Sequence, residues 1–302
     1  MENNIRLTIL TTSYNRAKLL SKLYASLIKQ TVYDFEWLII DDGSTDNTKT
    51  LVESFIEASG SGMKIHYVYK ENGGLYTGYN VAYATIKTEL CVCIDSDDFM
   101  PVDAVEKIVS FWKEQGTDDY AGILGLDFNI ATKEIIGGTF PSGLHEVYFY
   151  DLTLKKLHAG DTKPVMRTSL MRQVAPQIGF PGEKNFNPVY MMLQVCDNYP
   201  VLLMNEVLCN VEYQIGADSM SQGIWRQYAN SARSFAKLRL LEMGLKRNNF
   251  RNKMRVCVHY ISSCLLSRDK KWLRNSPLKI MTLLLFPMGF MLYLMVLWKN
   301  RS

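Results

Sequence analysis

Histidine is scarce in this sequence, with four among 302 residues, and the six cysteines form no CxxC pair. Cys91, Cys93, Cys196, Cys209, Cys257 and Cys264 have no histidine cluster beside them, so a zinc site is a weak reading. Cys91 and Cys93 sit in the apolar run LCVCI and read as strand fillers. No GxGxxG follows the first apolar run, which argues against a dinucleotide oxidoreductase. MENNIRLTIL carries no long apolar stretch of the secretory kind, so chemistry facing a reducing cytoplasm is expected. Gly 19 and Pro 9 are too few for collagen-like or low-complexity architecture. Hydrophobic residues at 47% and charged residues at 21% exclude disorder as a description of the whole chain. The length allows one large domain or two ordinary ones, with an ample core.

Acidic residues are nearly missing from the C-terminal part. From Lys246 to Ser302 there are twelve Lys and Arg against one acidic residue, Asp269. The rest of the chain then holds 22 basic and 29 acidic residues, so a net charge of +4 hides an acidic body and a basic tail. The overall charge is too mild to imply a nucleic-acid partner.

What is present first is an alternating pattern. Arg6 to Thr12, Phe35 to Ile40, Lys64 to Tyr69 and Leu90 to Ile94 read as short strands, FEWLII without the polar alternation of a half-exposed one. Helical spacing follows each strand, from Ala17 to Gln30, Asn47 to Ala58, about Gly74 to Lys87, and Ala104 to Gln115. This series predicts an α/β fold with a doubly wound, mostly parallel sheet and helices on both faces. Ligands in such sheets bind beyond the carboxyl ends of the strands. The loops TSYNR, DDGSTD, ENGG and DSDD all fall there. Beyond Tyr120 the pattern is less regular: AGILGLDF, IIGGTF and HEVYFYDL read as strands or strand-turns. Asp161 to Arg172 reads as strand into helix, Met191 to Cys196 as helix, and Val207 to Gln214 as strand, before a helical tail from Ile224.

Each loop has a plain and a chemical reading. Asp95-Ser96-Asp97-Asp98 crowds carboxylates at a strand tip, where a divalent cation would relieve their repulsion. Asp98 or Asp103 could equally cap the next helix. Asp41 to Thr48 offers carboxylates and hydroxyls to a base edge or ribose, or caps through Ser44, Asp46 or Asn47. Asn72-Gly73-Gly74 permits close backbone approach to a ligand, or forms an ordinary turn. Thr12, Tyr14 and Asn15 can hold a base, or form a loop without a ligand.

Taken together over about residues 5–115, these four loops in this order and spacing resemble the nucleotide-sugar-binding half of family 2 glycosyltransferases, which have the GT-A fold. The resemblance implies that Thr11, Thr12, Tyr14, Asn15 and Arg16, with Asp41, Asp42 and Ser44, hold the nucleoside, uracil being the commonest base. It places Asn72, Gly73, Gly74, Tyr76 and Asn80 beside the diphosphate. It assigns Mg²⁺ or Mn²⁺ to Asp95 and Asp97, with Asp97 the favoured direct ligand and Ser96 between them at the nucleotide. The implied reaction is inverting: an acceptor hydroxyl attacks the anomeric carbon in line, aided by a carboxylate base.

The second half departs from the family pattern. GFPGEKNFNP, Gly179 to Pro188, and the stretch from Gly160 to Arg167 fit some bacterial members. The carboxylate that usually follows is absent from Asn187-Pro188-Val189-Tyr190, and the next is Asp197. Three explanations stand: Glu183 is the base, Asp161 is the base, or the protein is catalytically weak. Glu183 is favoured, against a plain surface pairing with Lys184 or a neighbour. Leu75-Tyr76 stands where relatives often carry basic residues, and Tyr76 could donate a phenolic hydrogen bond there. Asp218-Ser219-Met220-Ser221 falls where the family has a loop that closes over the donor, without the histidine some members carry. Trp225 and Tyr228 read as core residues of an amphipathic helix, with the acceptor side as the alternative.

Ile280 to Trp298 is uncharged over 19 residues, near the ~20 needed to span a bilayer. Pro287 and Gly289 interrupt it, and basic residues flank both ends, Lys270, Lys271, Arg274 and Lys279 before it and Lys299 and Arg301 after it. That pattern suits a bent or in-plane segment at an anionic surface better than a span, each basic residue adding ~1 kcal/mol. A buried helix in an oligomer is the alternative. The expected organisation is a glycosyltransferase domain over 1–223, with a nucleotide-sugar half at 1–115 and an acceptor half at 116–223. A basic helical tail over 224–302 holds the membrane-associating segment 280–298. The expected activity is metal-dependent transfer from a nucleotide-sugar to a saccharide acceptor, polyprenyl-diphosphate-linked, in surface polysaccharide synthesis at the cytoplasmic face of the membrane. A catalytically silent nucleotide-sugar-binding subunit is the competing reading.

Overall fold

A computed structural model of the chain describes residues 6–60, 62–212 and 224–300. Four parallel strands form the first half of one sheet: β1 Leu7–Ser13, β2 Phe35–Asp41, β3 Lys64–Tyr69 and β4 Leu90–Cys93. Between and after them run α1 Ala17–Leu27, α2 Thr48–Ser59, α3 Leu75–Thr85 and α4 Ala104–Gln115. Leu20, Leu23 and Leu27 of α1 recur at helical spacing and are fully buried against the sheet. Register brings the strand tips level. Ser13 pairs with Asp41, Asp41 with Tyr69, and Leu10 with Cys93, so the four polar loops emerge along one edge.

The second half is β5 Gly122–Asn129, β6 Glu134–Ile135, β7 Glu146–Val147, α5 Phe149–Leu154, β8 Thr162–Arg167, α6 Thr168–Val174, α7 Val189–Cys196 and β9 Val201–Val211. The strand order is β3-β2-β1-β4-β8-β5-β9-β7, with β6 paired to β5. β8 and β7 run antiparallel to their neighbours, and the rest of the path is parallel. Helices cover both faces: α1, α2 and α4 close one core, α3, α5, α6 and α7 the other.

Three local expectations change. Of IIGGTF only Ile135 is in a strand, the end of β6, because Gly137 and Gly138 both take left-handed φ, 76° and 79°, which ends the pairing. HEVYFYDL turns into a helix after Val147. The last strand starts at Val201, six residues earlier than its β-branched core suggests, because VLLM is buried beside β5. The Asp218–Ser221 segment lies outside the described residues.

A helical module follows: α8 Ile224–Asn230, α9 Ala232–Gly244, α10 Phe250–Leu266, α11 Trp272–Asn275, α12 Lys279–Leu284 and α13 Phe286–Lys299. It has its own core around Met243, Val256, Tyr260, Ile261 and Leu285. The uncharged segment is broken at Leu285, with Pro287 in the first turn of α13. Gly289 lets α13 lie directly on α10, where an added Cβ would come within 2.5 Å of Ile261. Among the described residues no helix is long and apolar enough to cross a membrane. Tyr228 is buried as expected, its hydroxyl donating to the His259 carbonyl at 2.7 Å.

Candidate active site

The nucleoside end is knitted from two loops. Asn15, at φ 53°, donates its backbone N–H to Ser44 Oγ at 2.8 Å. Its side-chain oxygen accepts from the Thr45 N–H at 2.7 Å and the Asp46 N–H at 3.3 Å. Burial works against the charge of Asp46, but hydrogen bonds from Thr48 and Ala17 outweigh it and hold the carboxyl below its usual range. Tyr14 remains 48% exposed and free to stack on a base.

Asp41 and Asp42 are both buried and already engaged. Asp41 accepts from the Ser44 N–H at 2.7 Å and from the Tyr67 hydroxyl, whose own pKa is raised by burial and that carboxylate. Asp42 accepts from the Gly73 and Gly74 N–H groups at 2.9 Å each, from Asn72 Nδ2 at 3.1 Å, and from Lys70. The pair therefore builds the loops that the sequence reading has it share with a nucleoside. Gly73 and Gly74 stay close to the site, with their N–H groups directed at Asp42.

Three other residues placed at the ligand by sequence are also engaged within the fold: Thr11 and Asn80 through backbone partners, Tyr76 through packing. Thr11 Oγ1 donates to the Ile94 carbonyl at 2.9 Å and accepts from Trp37 Nε1 at 3.0 Å. Asn80 exchanges two hydrogen bonds with Gln177, at 2.7 and 2.9 Å. Tyr76 is buried against Phe186, ring centroids 5.9 Å apart, and Gly179 leaves room for its hydroxyl. Thr12 is half-buried beneath Gly78.

At the tip of β4, Asp95 is exposed, Ser96 buried and Asp97 half-buried. Burial first, and Asp95 second, raise the Asp97 carboxyl, while Arg16 and Lys163 draw it down. Behind them lies a group that the sequence reading does not single out. Lys163 of β8 is buried 3.9 Å from Asp98 and 3.6 Å from Asp127 of β5. Burial pushes Asp98 up to about 7 and Asp127 up to about 6, against the pull of Lys163. Burial also works against the charge on Lys163, and the surrounding carboxylates with Cys209 outweigh it. A lone Asp in the apolar strand GILGLDF was the available signal, since a buried carboxylate needs a partner.

The two candidate bases differ sharply. Glu183 is buried, and both its oxygens cap α9. Oε1 accepts from the Arg233 N–H at 3.1 Å and Nε at 2.9 Å, and Oε2 from the Ser234 N–H at 2.7 Å. Its pairing is with Arg233 and the start of α9 rather than with Lys184. Asp161 is exposed and precedes β8, whose antiparallel register on β4 carries it toward the acidic loop. Its charge also reaches Asp127. A cavity of about 260 Å³ is lined by Asp95 and Lys163 together with Leu75, Tyr79, Asn187 and Val189. Val189, not a carboxylate, occupies the start of α7 there.

Among the described residues no group of three or more His, Cys, Asp or Glu is arranged to hold a metal ion. The donor set that is present, Asp95 and Asp97, consists of hard carboxylate oxygens on one short loop. Two carboxylates suit Mg²⁺ or Mn²⁺ when substrate phosphates complete the shell.

Residues 8–156 match the model of glycosyl transferase family 2. The chain carries a family 2 glycosyltransferase domain. The putative teichuronic acid biosynthesis glycosyltransferase TuaG of Bacillus subtilis is 25% identical over 224 residues, covering 72% of this chain and 82% of that protein. The first curated relatives are matched over only 10% to 38% of their own length. Among solved structures, Staphylococcus aureus TarS 1–349 superposes with a TM-score of 0.64 at 15% identity, covering 98% of this chain and 91% of that one. The same TarS fragment is also known in complex with UDP-GlcNAc. A mannosyltransferase of Pyrobaculum calidifontis, in complex with GDP-Man and Mn²⁺, gives 0.54 at 14%, covering 96% and 87%. The chain thus has a GT-A-type fold, a mixed, mostly parallel sheet between helices, followed by a helical C-terminal region.

Proposed function

We propose that the protein is an inverting, metal-dependent glycosyltransferase of bacterial surface polysaccharide synthesis, using a UDP-linked sugar. The observation that carries this reading is the acidic Asp95–Asp97 loop at a strand tip, beside a cavity and next to the Tyr14–Asn15 platform. UDP-GlcNAc in TarS supports the choice of donor. Tyr14 and Asn15 receive the base, and Asp95 and Asp97 hold Mg²⁺ or Mn²⁺. When bound, that ion supplies the charge that stabilises the departing nucleoside diphosphate. Asp161 accepts the proton of the attacking hydroxyl, the role that Glu183 is too enclosed to fill. Lys163 keeps the buried carboxylates behind the loop paired, which fixes the loop's position.

The acceptor follows from the helical module. Ile280, Leu283, Leu284, Met288, Met291 and Trp298 of α12 and α13 are large, apolar and exposed, and basic residues stand at both ends. We read this as peripheral attachment to the cytoplasmic face of the membrane, with a polyprenyl-diphosphate-linked saccharide as acceptor.

A silent nucleotide-sugar-binding subunit is the second reading, favoured by Val189 where relatives place a carboxylate. Transfer from UDP-sugars with Mn²⁺, measured for wild type, Asp97→Ala and Asp161→Asn, separates the two. Loss of about 10²-fold or more in both variants is expected. Wild-type turnover no faster than that of Asp97→Ala would leave the silent reading in place.

A further inference from the structure

Residues 176–188 lie in the loop between α6 and α7, which packs against the helical module. One side of it is fastened to α9 by Glu183, by Arg233 Nη2 donating to the Pro181 carbonyl at 2.6 Å, and by Lys237 Nζ donating to the Ile178 carbonyl at 2.9 Å. The other side meets α3 and the loop before it. Gln177 is bonded to Asn80, and Lys184 Nζ donates to Asn72 Oδ1. The Lys184 carbonyl lies so near Gly74 that a Cβ there would come within 2.0 Å of it. Glu183 is buried and Lys184, its neighbour, is exposed.

A diphosphate arriving beside α3 needs positive charge, and the local chain provides little. Leu75 and Tyr76 carry none. The Gly73 and Gly74 N–H groups point at Asp42, and Lys70 is paired with the same carboxylate. Lys184 is the cation brought to this place, from more than a hundred residues away in sequence. Its partner is a neutral amide oxygen, and among the described residues no ion pair within 4.0 Å uses it. Leu75 and Asn187, on either side of this junction, line the same cavity as Asp95.

We propose that Lys184 binds the diphosphate of the nucleotide donor, in the place that residues 75 and 76 leave without charge, and that Glu183 is the positioning residue that presents it. This assignment rests on the donor reading above. The test is calorimetric titration of the full chain, with Mn²⁺, against UDP, GDP, dTDP and CDP, each beside its parent nucleoside. Lys184→Ala should weaken the best-bound diphosphate about ten-fold and leave its nucleoside within two-fold, since charge-assisted bonds to phosphate exceed neutral ones. Lys184→Arg should stay within about three-fold of wild type. Equal weakening of nucleoside and diphosphate, or none in Lys184→Ala, would overturn the assignment. Wild type that binds none of the four diphosphates would overturn the donor reading itself, and this proposal with it. Lys184 is exposed, so the variants keep the fold, and unchanged thermal midpoints check that.

Discussion

The sheet domain and the helical module differ most in what they leave at the surface. In the sheet domain the strands bury Leu7, Ile9, Trp37, Ile39 and Ile40 completely, and carboxylates gather at the strand tips. In the helical module hydroxyls lie inside: Ser262, Ser263, Ser276 and Thr282 are buried, with Ser276 and Thr282 sharing a 2.6 Å hydrogen bond. Large apolar side chains lie outside, Ile280 at 78%, Leu284 at 73% and Met291 at 69% exposure. A helix face of that kind loses free energy in water, about 1.5–3 kcal/mol for each large side chain left unburied. On the function proposed above, the contrast teaches that the two regions serve different surroundings, one water and a charged ligand, the other an apolar surface on one side. They meet at residues 176–188, where Lys184 leans on the donor half and Glu183 on α9.

The largest expected effect breaks that meeting point. Gly74 has φ 94°, and any side chain there collides with the Lys184 carbonyl. Gly74→Val should cost about 2–4 kcal/mol, from backbone strain and displacement of the loop. Urea unfolding measures this, and nucleotide titration should show donor binding lost in parallel. An unchanged midpoint would mean that the two regions do not touch as described.

Next in size is Glu183, which sharpens the comparison by separating support from chemistry. Glu183→Ala should cost about 2–3 kcal/mol, because two backbone N–H groups at the start of α9 lose their acceptor. The Arg233 side chain is 43% exposed, so its share of that figure is small. Glu183→Gln should cost about 1 kcal/mol, with kcat held and KM for the donor raised. A fall in kcat of a hundred-fold at unchanged stability would return Glu183 to the role of base.

The apolar face gives a smaller effect. Leu283→Ser combined with Leu284→Ser should reduce partition onto vesicles containing anionic lipid about ten-fold or more, at unchanged thermal midpoint, because both side chains are exposed in the folded protein. Co-sedimentation measures it. Undiminished binding, or a change in oligomeric state on light scattering, would give this face to another copy of the chain.

The first sheet half was legible because its signals are local. FEWLII and LCVCI announce buried strands, and each ends in a polar loop. The helix from Ala104 to Gln115 follows from spacing, although Asp103 does not cap it and Gln30 Oε1 accepts from the Val105 N–H instead. The site was legible only in outline. Asp42 looks available in sequence, but its partners arrive from thirty residues on, and no local pattern shows them filling it. Glu183 misleads for the same reason, since Arg233 and Ser234 lie fifty residues away. Lys163 and Asp127 meet only because an antiparallel strand enters a parallel sheet, and strand order cannot be read from periodicity.

The smallest effect contrasts the two regions by pH. Burial, with Arg239 and Arg255 beside it, lowers His259 in α10 from 6.5 to about 4. The unfolded chain therefore takes a proton on this residue below about pH 6.5 that the folded one refuses until about pH 4. Stability falls through that window as pH drops, and His259 leaves it unaffected above pH 7. Asp98 and Asp127 have the opposite sign. Their folded values of about 7 and 6 lie above the ordinary carboxylate range, so the folded sheet domain binds protons first and gains stability as pH falls. His259→Gln removes only the first response. The variant should match wild type at pH 7.5 and lose about 2 °C less between pH 7 and pH 5, the shift expected for roughly half a kcal/mol or more in a domain of this size. Scanning calorimetry of both proteins measures the difference, in which the aspartates cancel. An identical loss in the two would mean that the surroundings of His259, half-buried in α10 beside Arg239 and Arg255, do not hold it neutral.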